Sequence, residues 1–569
     1  GDAATTTDDT TLVGYGAGGG AIMTGHDNVA VGSGSLSVTT SGASNVAVGK
    51  DALASNTTSS FNVAVGESAL NANTTSGNNT AVGYQSLKVN TGGSNTAVGR
   101  GSLLSNTSGS NNVAIGREAL ESNTTGANNV AIGKDALTAN TTANDNTAVG
   151  HEALQANTGN DNTAVGWGAL YTNTSAAGNT AVGRKALYSN TTGDQNVAMG
   201  YQAGESNTTG LGNTSIGYQA GNKITTGSNN TAVGRNALDA LTTASSNSAF
   251  GREALTKLTT GSQNTGIGFE SGKEMTTGTN NVAVGHQAMK LVTTGGNNTG
   301  IGSFALAQIT TGSSNTGVGN DCMDSVTTGG NNVCMGVDSG QAITTGSNNT
   351  AIGTDALANC TTSDQNTAVG RTALTACTGS GNTAVGDGAG FTATSATDCI
   401  FIGHDAGANQ VTTTNDQLYI ARSGASLGTD AVFLYGSSNG SLINGDNSST
   451  FNTVSDERIK KNIVDSPKGL AEILQVKIRN FEYRTFDELD DDVKALNDGK
   501  GLNVLNKSGV KTGVIAQELE AIFPNDVTDL PDGTKNVKIE NTQWALIKAV
   551  QELSAKNDAL EARIATLEG

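Results

Sequence analysis

A 17-residue unit recurs from Asn28 to about Gly403, and that period constrains the fold more than any other feature of the chain. Its core reads Asn-(Thr/Val)-Ala-Val-Gly, as at Asn28–Gly32, Asn146–Gly150 and Asn366–Gly370. Twenty-two copies open with Asn between Asn28 and Asn382, and weaker copies stand at Thr11–Gly14 and Cys399–Gly403. The spacing is 17 except for three steps of 16, at Asn79 to Asn95, Asn146 to Asn162 and Asn366 to Asn382. A strict period of this size marks a solenoid, in which each unit buries its apolar side against its neighbours. The expected shape is a rod rather than a pocketed globule.

The unit is best read by columns, with its Asn as position zero. Position two is mostly Ala, position three is apolar (Val31, Ile115, Met199, Phe250, Val385), position four is Gly and position eight is commonly Leu. A run of β-formers closed by Gly predicts a short strand that ends in a crowded place. The Asn-Thr-Thr-Gly stretch that follows has the composition of a turn. Small residues flanking the apolar column on every turn suggest backbones packed around a common axis, hence an oligomeric rod. Position eleven is Asn from Asn56 to Asn207, then aliphatic from Ile224 to Ile343, then Cys360 and Cys377. That exchange predicts an inward, dry column: an amide ladder followed by an apolar ladder. A glycan-binding ladder is the alternative reading of the same Asn column.

Composition narrows the choice. With 77 Gly and only 3 Pro, collagen and polyproline are excluded. Aromatics are 4%, so small and β-branched residues must fill the core. The net charge of −19 argues against nucleic acid or an anionic membrane as partner. No stretch is long enough to span a bilayer, and no secretory signal is visible. The chain opens on Gly1 rather than Met, so a longer protein with an anchoring N-terminal part is expected. The five Cys form no Cys-x-x-Cys pair, and no zinc site is expected. Cys360 and Cys377 lie one period apart and read as two small buried side chains in a column rather than a disulfide. His26, His151, His286 and His404 read as surface residues without a common phase. Glu118, Asp135 and Glu152 read as solvated loop positions, with no metal and no cofactor implied.

The repeat dissolves after Gly403. Asp416–Ala421 and Ala431–Gly436 read as strands, and Ser441–Asp446 ends in a turn. From Ser455 the chain is ordinary globular sequence and holds all three prolines, Pro467, Pro524 and Pro531. A helix is expected from Pro467 to Val476, a strand over Lys477–Tyr483, and a strand over Thr512–Ile515. That last strand runs into a helix at Ala516–Glu520 that stops at Pro524. Asp487–Asp492 reads as a solvated acidic loop. At the end, Leu546, Leu553, Leu560 and Leu567 alternate with Val550, Asn557 and Ile564 in a heptad seam, which predicts a coiled-coil helix over 544–569.

Two resemblances attach to these motifs. The Asn-(Ser/Thr/Val)-Ala-(Val/Ile)-Gly-x-x-Ala pattern resembles the head repeat of trimeric autotransporter adhesins, which implies a trimeric parallel β-roll with the Ala-Val/Ile-Gly strand facing inward. Ser455-Asp456-Glu457-Arg458-Ile459-Lys460-Lys461-Asn462-Ile463, with Gly513-Val514-Ile515-Ala516-Gln517-Glu518, resembles the intramolecular chaperone of phage tailspikes and tail fibres, the endosialidase-type peptidase S74 family. That family assists trimerisation of the fibre before it and then cuts itself off. The resemblance makes Ser455 the nucleophile, Lys460 its base and Val454–Ser455 the scissile bond, supported by Asp456, Arg458, Asn462, Gln517 and Glu518. The chemistry is consistent: a Ser needs an adjacent base to attack an amide, and cations such as Arg458 and Lys461 lower a Lys pKa. Cleavage within one chain is a single turnover and needs no external substrate. β-Branched residues opposite Leu favour two strands in isolated coils; the seam is short, and the repeat outweighs it.

The expected architecture is mainly β: a lead-in over 1–27, a homotrimeric β-roll or β-solenoid over 28–403, a transition over 404–454, and a small α+β chaperone domain over 455–569. The expected function is a phage tail fibre, extracellular on the virion, that recognises a host surface through a glycan or an outer-surface protein. Its partners would be two further copies of itself and other virion tail proteins met through an N-terminal part, with no nucleic acid and no membrane insertion. A bacterial trimeric surface adhesin with a permanent C-terminal trimerisation clamp is the competing expectation. Neither paired carboxylates of a glycosidase nor a Gly-Gly-x-Gly-x-Asp calcium motif recurs along the rod.

Overall fold

The computed structural model describes residues 9–19, 22–408, 415–421, 432–436, 442–444, 466–482, 510–529, 535–537 and 540–569. The chain divides into two compact units, Gly1–Phe451 and Asn452–Gly569.

In the first unit every repeat contributes one three-residue strand, from β1 (Thr11–Val13) to β24 (Ile400–Ile402). Each strand pairs in parallel and in register with those of the next and the previous turn; Val113, Ala114 and Ile115 face Val130, Ala131 and Ile132. The Thr or Val at position one and the Val or Ile at position three suit a pleated surface. Alternation along a strand places them on one face and the Ala between them on the other. Ala114 and Ala131 are fully buried in the coil's own core, whereas Ile115 is 38% and Phe250 42% exposed.

This corrects the argument drawn from the small residues. The Ala column faces the interior of the single chain. The Gly column meets the next turn of the same chain: a Cβ on Gly116 would stand 2.4 Å from the carbonyl oxygen of Gly133. Neither column requires a second copy, and it is the position-three column that is left uncovered.

The interior carries two amide ladders. At position eleven, Asn106 Nδ2 donates to Asn90 Oδ1 at 2.6 Å, Asn123 to Asn106 at 2.7 Å and Asn207 to Asn190 at 2.8 Å. These side chains are buried, so the column is an internal ladder and not a glycan-binding surface. Position zero forms a second ladder that the sequence did not disclose. The Oδ1 of Asn112 accepts the backbone N–H of Asn129 at 2.9 Å and its Nδ2 at 3.2 Å, and the pattern recurs from Asn28 to Asn382. Each amide thereby satisfies a buried backbone donor of the following turn, as burial of polar groups demands. The 16-residue turns leave this untouched: Thr80 still faces Thr96, and Asn95 N–H still reaches Asn79 Oδ1 at 2.9 Å.

The apolar core forms two clusters, Ala17–Ala203 and Ala220–Ala421. They part where Gly204 and Gly221 replace the position-eight Leu and Ser215 replaces the Ala. Beyond that point Ile224, Leu241 and Leu258 are buried in place of Asn, as the column predicted. The solenoid ends on β25 (Leu418–Ala421), parallel to β24, where Tyr419 stacks on Phe401 at 5.5 Å. The sheet then reverses through antiparallel β26 (Val432–Gly436) and β27 (Leu442–Asn444). Leu442–Asn444 thus forms a strand within the segment expected to end in a turn, and the expected turn at Gly445–Asp446 lies outside the described residues.

The second unit is small and mixed. It contains α1 (Leu470–Ile473), antiparallel β28 (Arg479–Phe481) and β29 (Lys511–Gly513), and α2 (Ala516–Glu520). A 3-10 turn at Pro524–Asp526 follows, then antiparallel β30 (Val527–Asp529) and β31 (Lys535–Val537), and finally α3 (Glu540–Glu568). Leu519, Phe523 and Ala545 form its buried centre, packed by Ile473, Val514 and Val527. The far half of α3 leaves its heptad positions bare, with Leu553 57% and Leu560 54% exposed. No described helix is long and apolar enough to cross a membrane.

Candidate processing site and the side chains around it

Val454, Ser455, Asp456, Arg458, Lys460 and Asn462 lie outside the described residues, as does the acidic loop Asp487–Asp492. Gln517 and Glu518 are described, on α2. Gln517 is exposed. Glu518 receives two charge-assisted hydrogen bonds from Arg479 on β28, from Nη2 at 2.7 Å and Nε at 3.1 Å. That fork holds the Glu518 carboxyl below the ordinary carboxylate range. Its work here is to tie β28 to α2, a bidentate geometry that Lys would not reproduce.

The ends of the sequence segment are drawn together by polar contacts. The amide of Leu470, at the start of α1, donates to Glu552 Oε2 of α3 at 3.1 Å, and Lys468 Nζ donates to the carbonyl of Ile522 at 3.0 Å. Asp526 caps the first turn of α3. Its carboxylate accepts the backbone N–H groups of Asn541 and Thr542 at 2.9 and 2.7 Å, plus both of their side chains at 2.6 Å. Burial works to raise the Asp526 pKa, but these hydrogen bonds prevail and hold it below the ordinary value.

The fold is thus a parallel β-solenoid of single-strand turns joined in sequence to a small α+β unit with a long terminal helix. Residues 455–528 match the family model described as chaperone of endosialidase. The matched segment opens on Ser455 and takes in Gln517, Glu518 and the Asp526 cap. Neither a curated protein nor a solved structure matches the chain.

Along the solenoid the chemistry-bearing residues fall into order. The five Cys are buried free thiols. Cys360 and Cys377 contact one another, and Cys377 donates to the carbonyl of Gly379 at 3.0 Å. The expected lack of phase among the His is wrong: His151, His286 and His404 each directly follow a strand-ending Gly, so they share one column. Nor are the acids fully solvated. Asp135 is only 13% exposed and lies 3.0 Å from Lys134, while Glu118 and Glu152 lie 3.5 and 3.4 Å from Arg117 and His151. Ligand-type atoms of Asp135, His151 and Glu152 fall within 4.8 Å of one another, but Lys134 already compensates the Asp135 charge. Glu270 takes hydrogen bonds from Lys273 and Gln287, both at 2.8 Å, with Lys290 3.1 Å away, and its pKa is held at about 2. The three His share the column that follows the strand Gly, and Glu118, Asp135, Glu152 and Glu270 share the one after it. Reading those two positions down the repeats would have found both.

Proposed function

We propose that three copies of this chain form an extracellular fibre of the phage tail-fibre kind that contacts a host surface, and that its C-terminal unit assembles the fibre and is then released. The carrying observation is the match of residues 455–528 to the endosialidase chaperone, placed after a solenoid whose outward Val/Ile column has no cover. A solenoid of near-identical turns has no internal mark strong enough to choose a register, because a slip of one turn restores nearly every contact. A C-terminal clamp that meets first removes that degeneracy. The bare heptad positions of α3 supply the apolar seam for such a clamp. Release afterwards leaves the assembled rod separated from its unfolding by a kinetic barrier.

In this reading Ser455 Oγ attacks the Val454 carbonyl, and Lys460, entering as the neutral amine, takes the hydroxyl proton. An ester forms between the Val454 carbonyl and Ser455 Oγ, the Val454–Ser455 amide breaks as Lys460 returns the proton to the Ser455 nitrogen, and water then hydrolyses the ester to free the Val454 carboxylate and the Ser455 hydroxyl. Intact mass of the wild-type chain beside Ser455→Ala tests it. Two wild-type fragments divided at Val454–Ser455, with the variant uncut, are expected. An uncut wild type would remove the peptidase and leave the C-terminal unit as a permanent clamp.

A further inference from the structure

From Tyr84 to His286, the residue after the strand Gly is Arg, Lys, His or aromatic on thirteen consecutive turns, in a chain with 4% aromatic and 14% charged residues. The run is bounded by Glu67 on one side and Ser303 on the other. In-register strands stack these side chains. The Arg184 guanidinium lies 5.1 Å from the Trp167 ring centroid and 5.6 Å from that of Tyr201. Tyr201 stacks on Tyr218 at 5.3 Å with their planes 11° apart, and Arg235 covers Tyr218 at 5.9 Å.

Stacking by itself would only tie turns together. The neighbouring column gives this stretch a different meaning. That column is acidic at Glu118, Asp135 and Glu152, and again at Glu253 and Glu270, where it neutralises adjacent cations such as Arg117, Lys134 and Arg252. Over the five turns between, it is Gly168, Lys185, Gln202, Gln219 and Asn236. Carboxylates are absent from this column where the aromatics are densest. Among the described residues neither Arg184 nor Arg235 makes an ion pair, in a chain of net charge −19.

We propose that the face from Trp167 to Arg235 binds a carboxylated polysaccharide lying along the solenoid. With rings over both its faces, Arg184 has donors free only at its edge, where a guanidinium grips a carboxylate through two parallel hydrogen bonds. Tyr201 and Tyr218 add exposed rings and hydroxyls, the amphipathic contact that sugars accept. Turns repeat every ~4.8 Å, so Arg184 and Arg235, three turns apart, stand roughly 14 Å from each other. That spacing suits a polymer charged on only some of its units. A nucleic acid strand carries a phosphate every ~3.4 Å, a density that two unpaired cations three turns apart do not match. The proposal rests on the surface-recognition part of the function above, and not on trimerisation or cleavage.

The test is isothermal titration of the full chain with polygalacturonate, alginate and hyaluronate, with dextran as a neutral control and oligothymidylate as a polyanion control. Binding of at least one carboxylated polymer is expected, with neither control bound. Arg184→Gln combined with Arg235→Gln should weaken that binding tenfold or more, and Lys185→Gln, whose ammonium already pairs with Glu205 at 3.4 Å, should leave it nearly unchanged. Arg371→Gln, in the same column but beyond the stretch, should leave it unchanged. Circular dichroism of each variant verifies the fold. Failure of all three polymers to bind, a double variant that binds like wild type, or equal binding of a control would overturn the proposal. Light scattering on the same samples judges the trimer separately: a monomer that binds glycan sinks the fibre, and a trimer that binds none sinks only this face.

Discussion

At the scale of the residue, the solenoid depends on where it can tolerate a left-handed backbone. Each turn has Gly at φ near +135°, and Gly116 sits at +140°. A side chain there meets both a φ that L-residues avoid and the Gly133 carbonyl at 2.4 Å. Gly101, at φ +67°, is different, since its nearest neighbour to an added Cβ is a flexible Glu118 carbon at 3.7 Å. Gly116→Ala should therefore cost roughly 3 kcal/mol or more, and Gly101→Ala about 1 kcal/mol. Hydrogen exchange over the flanking turns checks this: protection should collapse around Val113–Ile132 in the first variant and persist in the second. Similar losses in both would mean that neither the close approach nor the φ of +140° adds to the ordinary cost of a side chain at positive φ. Leu120 shows the converse case. It holds φ +49° while fully buried, so apolar burial there outweighs a conformational penalty, and Gly204 and Gly221 show the chain taking the opposite choice.

At the scale of the element, the strands were legible because period 17 and the Gly stop repeat with every turn, and so was the exchange of Asn for aliphatic at position eleven. The facing of the strand was not. Val-Ala-Val alternates, but alternation alone does not say which face is inside, and Ala was the small residue that the interior of a narrow coil needs. The position-zero amides escaped for a related reason: an Asn at a strand's start reads equally as a turn residue, and only the neighbouring turn's N–H reveals its partner. In the second unit α1, α2 and α3 appear where helical pattern and Pro placed them, yet the Asp526 cap is invisible locally, since its partners lie on Asn541 and Thr542. Its pKa is lowered in the fold, so its stabilisation is fully present above the unfolded value of ~3.9 and is lost as pH falls through the folded value. Asp526→Asn should destabilise the docking of α3 by about 1–3 kcal/mol at neutral pH and flatten its dependence below pH 4. Hydrogen exchange of the first turns of α3, followed from pH 6 to pH 2.5, reads this out. Wild-type protection that does not change with acid would refute the role given to the carboxylate.

At the scale of the whole molecule, the unresolved demand is the position-three column. Repeated over 24 turns at ~4.8 Å each, it is a stripe roughly 110 Å long in which Ile132, Met199, Ile267 and Met335 are 37–47% exposed. Soluble monomers rarely present apolar patches beyond a few hundred Å². Three stripes meeting on an axis would remove this one from water with no change to the turn, whereas the Ala and Gly columns are already spent inside the single chain. In the proposed assembly the stripe is what would tie the repeat to a C-terminal clamp, because a continuous apolar seam without register is what such a clamp would have to align. Ile115→Asp with Ile132→Asp places two carboxylates per chain in the seam while leaving Ala114, Ala131 and both amide ladders as they are. The expected result is a full chain with an unchanged β signature whose mass by light scattering falls from three copies to one. A wild-type chain that is already monomeric would remove the fibre, whereas a double variant that stays trimeric would place the assembly surface elsewhere on the solenoid and leave the exposed stripe without a partner.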